Sequence, residues 1–157
     1  MILTFYIRRA TANDADNIFA VLNLNLDEFF SPESIWFFQN QWPGGQFVAE
    51  SVTGRIVGAL CGSKLEGGRA TVSLLAVDSE FRGHGVGTAL LNALRRTCMM
   101  EGISTIQLEV KTKNTEAIEF YRHHGFILSE MLPHYYNDGS DGYRMVSATY
   151  GTGLNPS

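Results

Sequence analysis

The chain is poor in the features that mark several broad functional classes. It has only two cysteines in 157 residues, Cys61 and Cys98, far apart and without the spacing of a zinc site or a redox pair. Cys98 falls on the apolar stripe of a helix and reads as a reduced, buried thiol. Basic residues are in deficit, 12 Lys and Arg against 16 Asp and Glu, so no broad basic footprint for nucleic acid is expected. No stretch reaches the ~18 consecutive apolar residues of a membrane span. Met1 to Arg9 has neither the charge order nor the apolar core of a signal peptide. His123, His124 and His134 have no carboxylate or cysteine spaced to complete a metal site, so no metal is expected. Repeats, linkers and low-complexity segments are missing as well. What remains is ordinary folded composition, 45% hydrophobic and 18% charged. The reading is one cytoplasmic domain over residues 1–150, burying roughly two thirds of its unfolded surface, with a flexible tail at 151–157.

Periodicity places the elements. Phe5 to Arg9 alternates as a short strand, and Thr11 stands before Ala15, Ile18, Phe19 and Leu22 at helical spacing. Ser31 as N-cap, Pro32 at the first helical position and Glu33 in the first turn predict a second helix. Phe30 and Ile35 occupy the two positions of a hydrophobic staple across that cap, and the helix fades near Trp42-Pro43-Gly44-Gly45. Phe47 to Ser51 and Ile56 to Leu65 flank Thr53-Gly54 as a hairpin, and Gly67-Gly68 turns the chain into a strand at Thr71 to Val77. Val86, Ala89, Leu90, Ala93, Leu94, Thr97 and Cys98 repeat every 3.6 residues, and Gly102 stops that helix. In the strand Thr105 to Lys111, Ile106, Leu108 and Val110 share one face and Gln107 and Glu109 the other. Thr115 to His124 is helical, and strands at Phe126 to Leu132 and Tyr143 to Ser147 enclose the polar turn Asn137 to Gly142.

The densest information is Arg82-Gly83-His84-Gly85-Val86-Gly87-Thr88, between a strand and a helix. Glycines let the backbone turn tightly and approach a ligand, while the amides opening the next helix lack intrahelical acceptors and carry the positive end of its dipole. Such a loop suits a pyrophosphate. Arg82 either adds a charged contact or braces the loop. A Walker loop would need Gly-Lys-Ser/Thr, which is absent. A dinucleotide fold needs a third glycine where Leu90 stands.

On these residues the sequence resembles the GNAT superfamily of acetyltransferases: Arg82-x-x-Gly85-x-Gly87 is similar to its pyrophosphate motif. The likeness runs from Ile7 to about Val146. Leu108-Glu109-Val110-Lys111, Asn114, Ala117-Ile118, Phe120-Tyr121, Gly125-Phe126 and Tyr135-Tyr136-Asn137-Asp138-Gly139 resemble the protein N-terminal acetyltransferases of bacterial ribosomal-protein and archaeal type. The resemblance implies an α/β fold with a mixed, mostly antiparallel sheet of about seven strands and about four helices. Its order is strand, two helices, three strands, helix, strand, helix, two strands. It implies direct acetyl transfer from acetyl-CoA to a primary amine, most of all a protein N-terminal α-amine.

Site residues follow from the same resemblance. Backbone at Leu75, Ala76 and Val77 binds the pantetheine arm and stabilises the oxyanion. Arg82, Gly83, His84, Gly85, Val86, Gly87 and Thr88 hold the pyrophosphate, and Asn114, Ala117, Phe120 and Tyr121 line the cofactor groove. Phe29, Phe30, Tyr135 and Tyr136 face the acceptor. Glu109 is the base. A free α-amine has a pKa near ~7.7–8.0 against ~10.4 for lysine, so an N-terminus needs only light assistance. Tyr121 meets the departing thiolate. A phenol near ~10 giving its proton to a thiolate near ~8.5 is uphill by about 2 kcal/mol, so it acts mainly by hydrogen bonding. Acetylation of a small amine or a lysine, and CoA binding without turnover, stay open, as do an auxiliary subunit and a homodimer.

Overall fold

The computed structural model describes residues 3–26 and 30–149. The tail expected at 151–157 lies outside them. Its strands are β1 (Phe5–Arg9), β2 (Gln46–Ser51), β3 (Ile56–Leu65), β4 (Arg69–Val77), β5 (Thr105–Lys111), β6 (Ile127–Leu132) and β7 (Gly142–Ala148). The helices are α1 (Ala15–Asn25), α2 (Pro32–Gln41), α3 (Val86–Met100) and α4 (Thr115–His123), and the order along the chain is the expected one. The seven strands form a sheet in the order β1-β2-β3-β4-β5-β7-β6. Pairing is antiparallel except between β4 and β5, where Arg69, Ala70 and Thr71 run parallel to Thr105, Ile106 and Gln107. Among the described residues no helix is long and apolar enough to cross a membrane.

The chain divides into two compact units, Met1–Lys64 with Val72–Thr97 and Leu65–Thr71 with Cys98–Ser157. The first holds a core in which Ile18, Val21 and Leu22 of α1 and Ile35 of α2 pack with Val48, Ala59 and Ala76 of the sheet. Each of these Ile, Val and Leu side chains removed from water contributes about 1.5–3 kcal/mol. Phe19 meets Phe30 edge-on with ring centroids 5.4 Å apart, so the staple residue Phe30 is tied to this core. Two expected caps differ in detail. Ser31 precedes α2, but its hydroxyl meets Ser34 Oγ at 3.3 Å instead of a backbone amide. At Thr11 the chain first makes a short 3₁₀ turn, Ala12–Asp14, and the Asp14 carboxylate accepts the Thr11 backbone N–H at 2.7 Å. Asp14 is buried, and Arg8 closes on it with two parallel bonds of 2.8 and 2.9 Å while donating through Nε to Glu50 at 2.8 Å.

Helix α3 buries Val86, Leu90, Ala93, Leu94, Thr97 and Cys98 as its periodicity predicts, but Ala89 is only half-buried and Leu91 is fully buried. The helix lies close to β3 because β3 carries glycine beneath it. A Cβ on Gly58 would come within 2.8 Å of Val86 Cγ1 and 3.2 Å of Leu90 Cδ1. At the other end Gly102, with φ +74°, closes a Schellman motif: Ile103 N–H donates to Cys98 O at 2.8 Å. Helix α4 ends one residue earlier than expected, at His123, and Gly125 repeats the motif with Phe126 N–H donating to Tyr121 O at 3.0 Å.

Candidate active site

In the first unit β4 leads through a 3₁₀ turn, Ser79–Phe81, into the glycine loop. The turn is fastened at several points. Asp78 accepts the Glu80 N–H at 2.9 Å, and Arg55 reaches Asp78 at 3.4 Å and Glu80 at 3.2 Å while lying over the Phe81 ring. Gly83 and Gly85 have φ of +79° and +84°, the left-handed region in which a side chain is strained. A Cβ built on either would meet nothing within 4 Å, so the backbone there borders open space. The loop is therefore a cradle that side chains would fill, which fits a ligand lying against the backbone. The Ala89 N–H donates to Gly85 O at 3.0 Å, so α3 starts at the loop and its first amides point back into it.

Arg82 makes two bonds within the first unit: Nε donates to Val77 O at 3.3 Å and a terminal nitrogen donates to Asn25 Oδ1 at 3.0 Å. It braces the loop to the end of β4 and to the last residue of α1. His84 is exposed, with its ring 6.5 Å from that of Phe81. Val86 is buried, and Gly87 and Thr88 are half-buried on the first turn of α3. On β4, Ala76 is buried in the core, and Leu75 and Val77 are half-buried. Phe30 packs on the core as described, and Phe29 lies outside the described residues.

The second unit holds Glu109 and Tyr121. Glu109 is mostly covered, its side chain 19% exposed, and one carboxylate oxygen, Oε2, accepts from two donors. Arg144 Nε donates at 2.9 Å and Gln107 Nε2 at 3.2 Å. Gln107 is turned by Arg69, which donates to its Oε1 at 2.7 Å, and Arg144 also donates to Glu130 at 2.9 Å. The carboxylates hold the Arg144 guanidinium above its ordinary pKa, through the hydrogen bond to Glu109 first. Sequence reading did not find Arg144, Gln107 or Arg69. The signal for Arg144 is its place directly across from Glu109 on β5 and from Glu130 on β6, visible only once the strands are paired.

Tyr121 is buried near the end of α4, edge-on to Phe120 at 5.2 Å and to Phe126 at 5.5 Å. Asn114 caps α4, its Oδ1 accepting the Ala117 N–H at 3.1 Å. The same residue that the resemblance places in the cofactor groove thus also starts the helix. Phe120 and Ala117 are half-buried. His124 leans on Phe120 and bonds through Nδ1 to Phe120 O at 2.7 Å. Among the described residues no three His, Cys, Asp or Glu side chains form a group able to hold a metal ion.

The connection from β6 to β7 is tightly bonded. Asp138 accepts the backbone N–H of Ser140 at 2.9 Å, its hydroxyl at 2.6 Å and Lys111 Nζ at 3.2 Å, which holds its carboxyl far below the usual range. His134 adopts φ +52° while its N–H donates to Asp141 at 2.8 Å. Tyr135 is exposed and lies perpendicular to the half-buried Tyr136 at 5.1 Å, and Lys111 Nζ lies 5.4 Å from the centre of the Tyr136 ring.

Comparison with known proteins agrees with this architecture. The profile of the Acetyltransferase (GNAT) family matches residues 15–126. An uncharacterised N-acetyltransferase of Methanocaldococcus jannaschii is 35% identical over 144 residues, covering 89% of either chain. The N-alpha-acetyltransferase of Sulfurisphaera tokodaii is 31% identical over 156 residues, covering 91% of this chain and 92% of its own. The crystal structure of Ard1 from Thermoplasma volcanium superposes with a TM-score of 0.86 at 35% identity, covering 92% of this chain and 97% of that one. The chain belongs to the GNAT acetyltransferase family. Its reaction is that of an N-acetyltransferase with acetyl-CoA as donor.

Proposed function

We propose that this enzyme acetylates the N-terminal α-amine of a protein or peptide, in the cytoplasm, where acetyl-CoA and emerging N-termini are both supplied. The observation that carries the reading is the glycine loop: Gly83 and Gly85 hold positive φ with open space at their missing side chains, at the start of α3. That geometry suits the pyrophosphate of the donor, held by backbone N–H groups from Gly83 to Thr88 and by the helix dipole. Arg82 then serves the site by bracing the loop, and backbone of Leu75, Ala76 and Val77 pairs with the pantetheine arm and donates to the oxyanion. Asn114, Ala117 and Phe120 line the groove for the same ligand. The choice of an α-amine draws on the relatives named for that acceptor, from Sulfurisphaera tokodaii in particular.

In this reading the neutral amine nitrogen attacks the thioester carbonyl carbon and the carbon–sulfur bond breaks, the sulfur leaving with the bonding pair. Glu109 takes the proton that the amine must lose, directly or through water. Tyr121 donates a hydrogen bond to the departing thiolate. Phe29, Phe30, Tyr135 and Tyr136 shape the acceptor side.

The test is incubation with acetyl-CoA and a library of short peptides with varied N-termini, reading free CoA and the position of the acetyl group. Peptide-dependent CoA release with acetate on the α-amine is expected. Acetylation confined to lysine side chains or small amines would defeat the reading.

A further inference from the structure

We propose that Arg144 is the positioning residue for the proton-accepting carboxylate: it pins Oε2 of Glu109 and leaves Oε1 as the oxygen that takes the amine proton. The inference rests on Glu109 being the base. Its ground is the asymmetry of the hydrogen bonds. Oε2 accepts from Arg144 Nε at 2.9 Å and from Gln107 Nε2 at 3.2 Å, whereas Oε1 has no partner among the described residues. A carboxylate with both donors on one oxygen cannot rotate freely without losing both bonds, so its other oxygen is held in one direction.

Both donors are themselves held. Arg144 Nη1 donates to Glu130 at 2.9 Å, and Ser129 Oγ donates to the Arg144 carbonyl at 3.2 Å. The pairing of β6 with β7 is irregular between Leu128 and Glu130: Leu128 faces Met145 and Glu130 faces Arg144, so Ser129 is the extra residue. That bulge sets Glu130, and not the serine, across from the guanidinium. Glu109 faces Arg144 from the other side, which puts the three residues in line over β6, β7 and β5. Gln107 has only one useful orientation, because Arg69 donates to its Oε1 at 2.7 Å and leaves Nε2 for Glu109. The Arg144 side chain is 30% exposed, so the guanidinium is neither a deeply buried charge nor a solvated surface group. A lysine could supply the charge at this position but not a fixed planar fork that spans two carboxylates.

The experiment is a double-mutant cycle on the full chain with Glu109→Gln, Arg144→Gln and the double variant. Steady-state kinetics with an accepted peptide are read alongside melting temperature. Arg144→Gln is expected to lower kcat about 10-fold in the native background and less than about 2-fold in the Glu109→Gln background, with KM for acetyl-CoA unchanged. Arg144→Lys keeps the charge and guards against a folding defect, and it is expected to fall between native and Arg144→Gln in kcat. An equal loss from Arg144→Gln in both backgrounds would make the residue merely structural and overturn the proposal, even with Glu109 confirmed as base. Full activity of Glu109→Gln would instead defeat the underlying assignment of the base.

Discussion

Tyr121 is placed for packing, and its proposed chemistry can be tested without disturbing that packing. Its ring is wedged edge-on between Phe120 and Phe126, and its carbonyl closes the end of α4 by accepting from Phe126 N–H at 3.0 Å. Removing only the phenolic oxygen keeps those contacts and deletes the hydrogen bond proposed for the leaving thiolate. Tyr121→Phe is therefore expected to lower kcat by roughly 10- to 100-fold, within the range of general acid assistance, with little change in the KM of either substrate. Native kcat in stopped or continuous CoA-release assays would reduce Tyr121 to a packing residue. Cys61 gives the opposite kind of case: burial pushes its thiol up to about 12, so it stays protonated and is no nucleophile.

Among the elements, α3 matters most, because the glycine loop proposed to hold the pyrophosphate leads directly into its first turn. Its approach to β3 depends on a missing side chain at Gly58, directly below Val86 and Leu90. Gly58→Val would overpack that contact, at a cost of about 1–3 kcal/mol, and shift the amides that open the helix. The expected result is a lower melting temperature together with weaker acetyl-CoA binding by calorimetry. Gly102→Ala strains the far end of the same helix, where φ is +74°, by about 1–2 kcal/mol. It should lower the melting temperature while acetyl-CoA affinity stays native. Equal effects of the two on binding would mean that α3 does not transmit position to the loop. Much of this element was legible beforehand: the 3.6-residue stripe and Gly102 gave its length. The contact through Gly58 was not, since a glycine inside a strand gives no hint of what lies against it.

For the molecule as a whole, acid sensitivity follows from a few bonded carboxylates. Arg8 holds Asp14 below the ordinary range, and Glu50 is lowered by Arg8 and Tyr6. Asp138 is lowered by Ser140 and Lys111. For each, the folded state binds its proton less readily than the unfolded chain. The stabilisation is thus complete above the unfolded value of about 4 and is lost as pH falls through the depressed folded values. Urea midpoints are expected to be level between pH 7 and 5 and to drop from about pH 4 downward. Arg8→Gln should lower the midpoint at pH 7 and flatten the acid fall. A midpoint that rises on acidification would contradict this assignment.

By itself the sequence determined the kinds and order of the elements and the position of the glycine loop before α3. Those depend on neighbours within a few residues: the alternation in β5, the stripe of α3, and glycines at 83, 85, 102 and 125. It also pointed to Glu109 and Tyr121, through likeness to a family. Only the tertiary structure decided what surrounds Glu109. Arg144 meets it across 35 residues of chain, and Glu130 meets Arg144 because a single extra residue shifts the β6 register. Cross-strand partners follow from how the strands pair and where a bulge falls, which local periodicity does not contain. The same holds for Arg82, whose bond to Asn25 spans 57 positions and fastens the glycine loop to the end of α1.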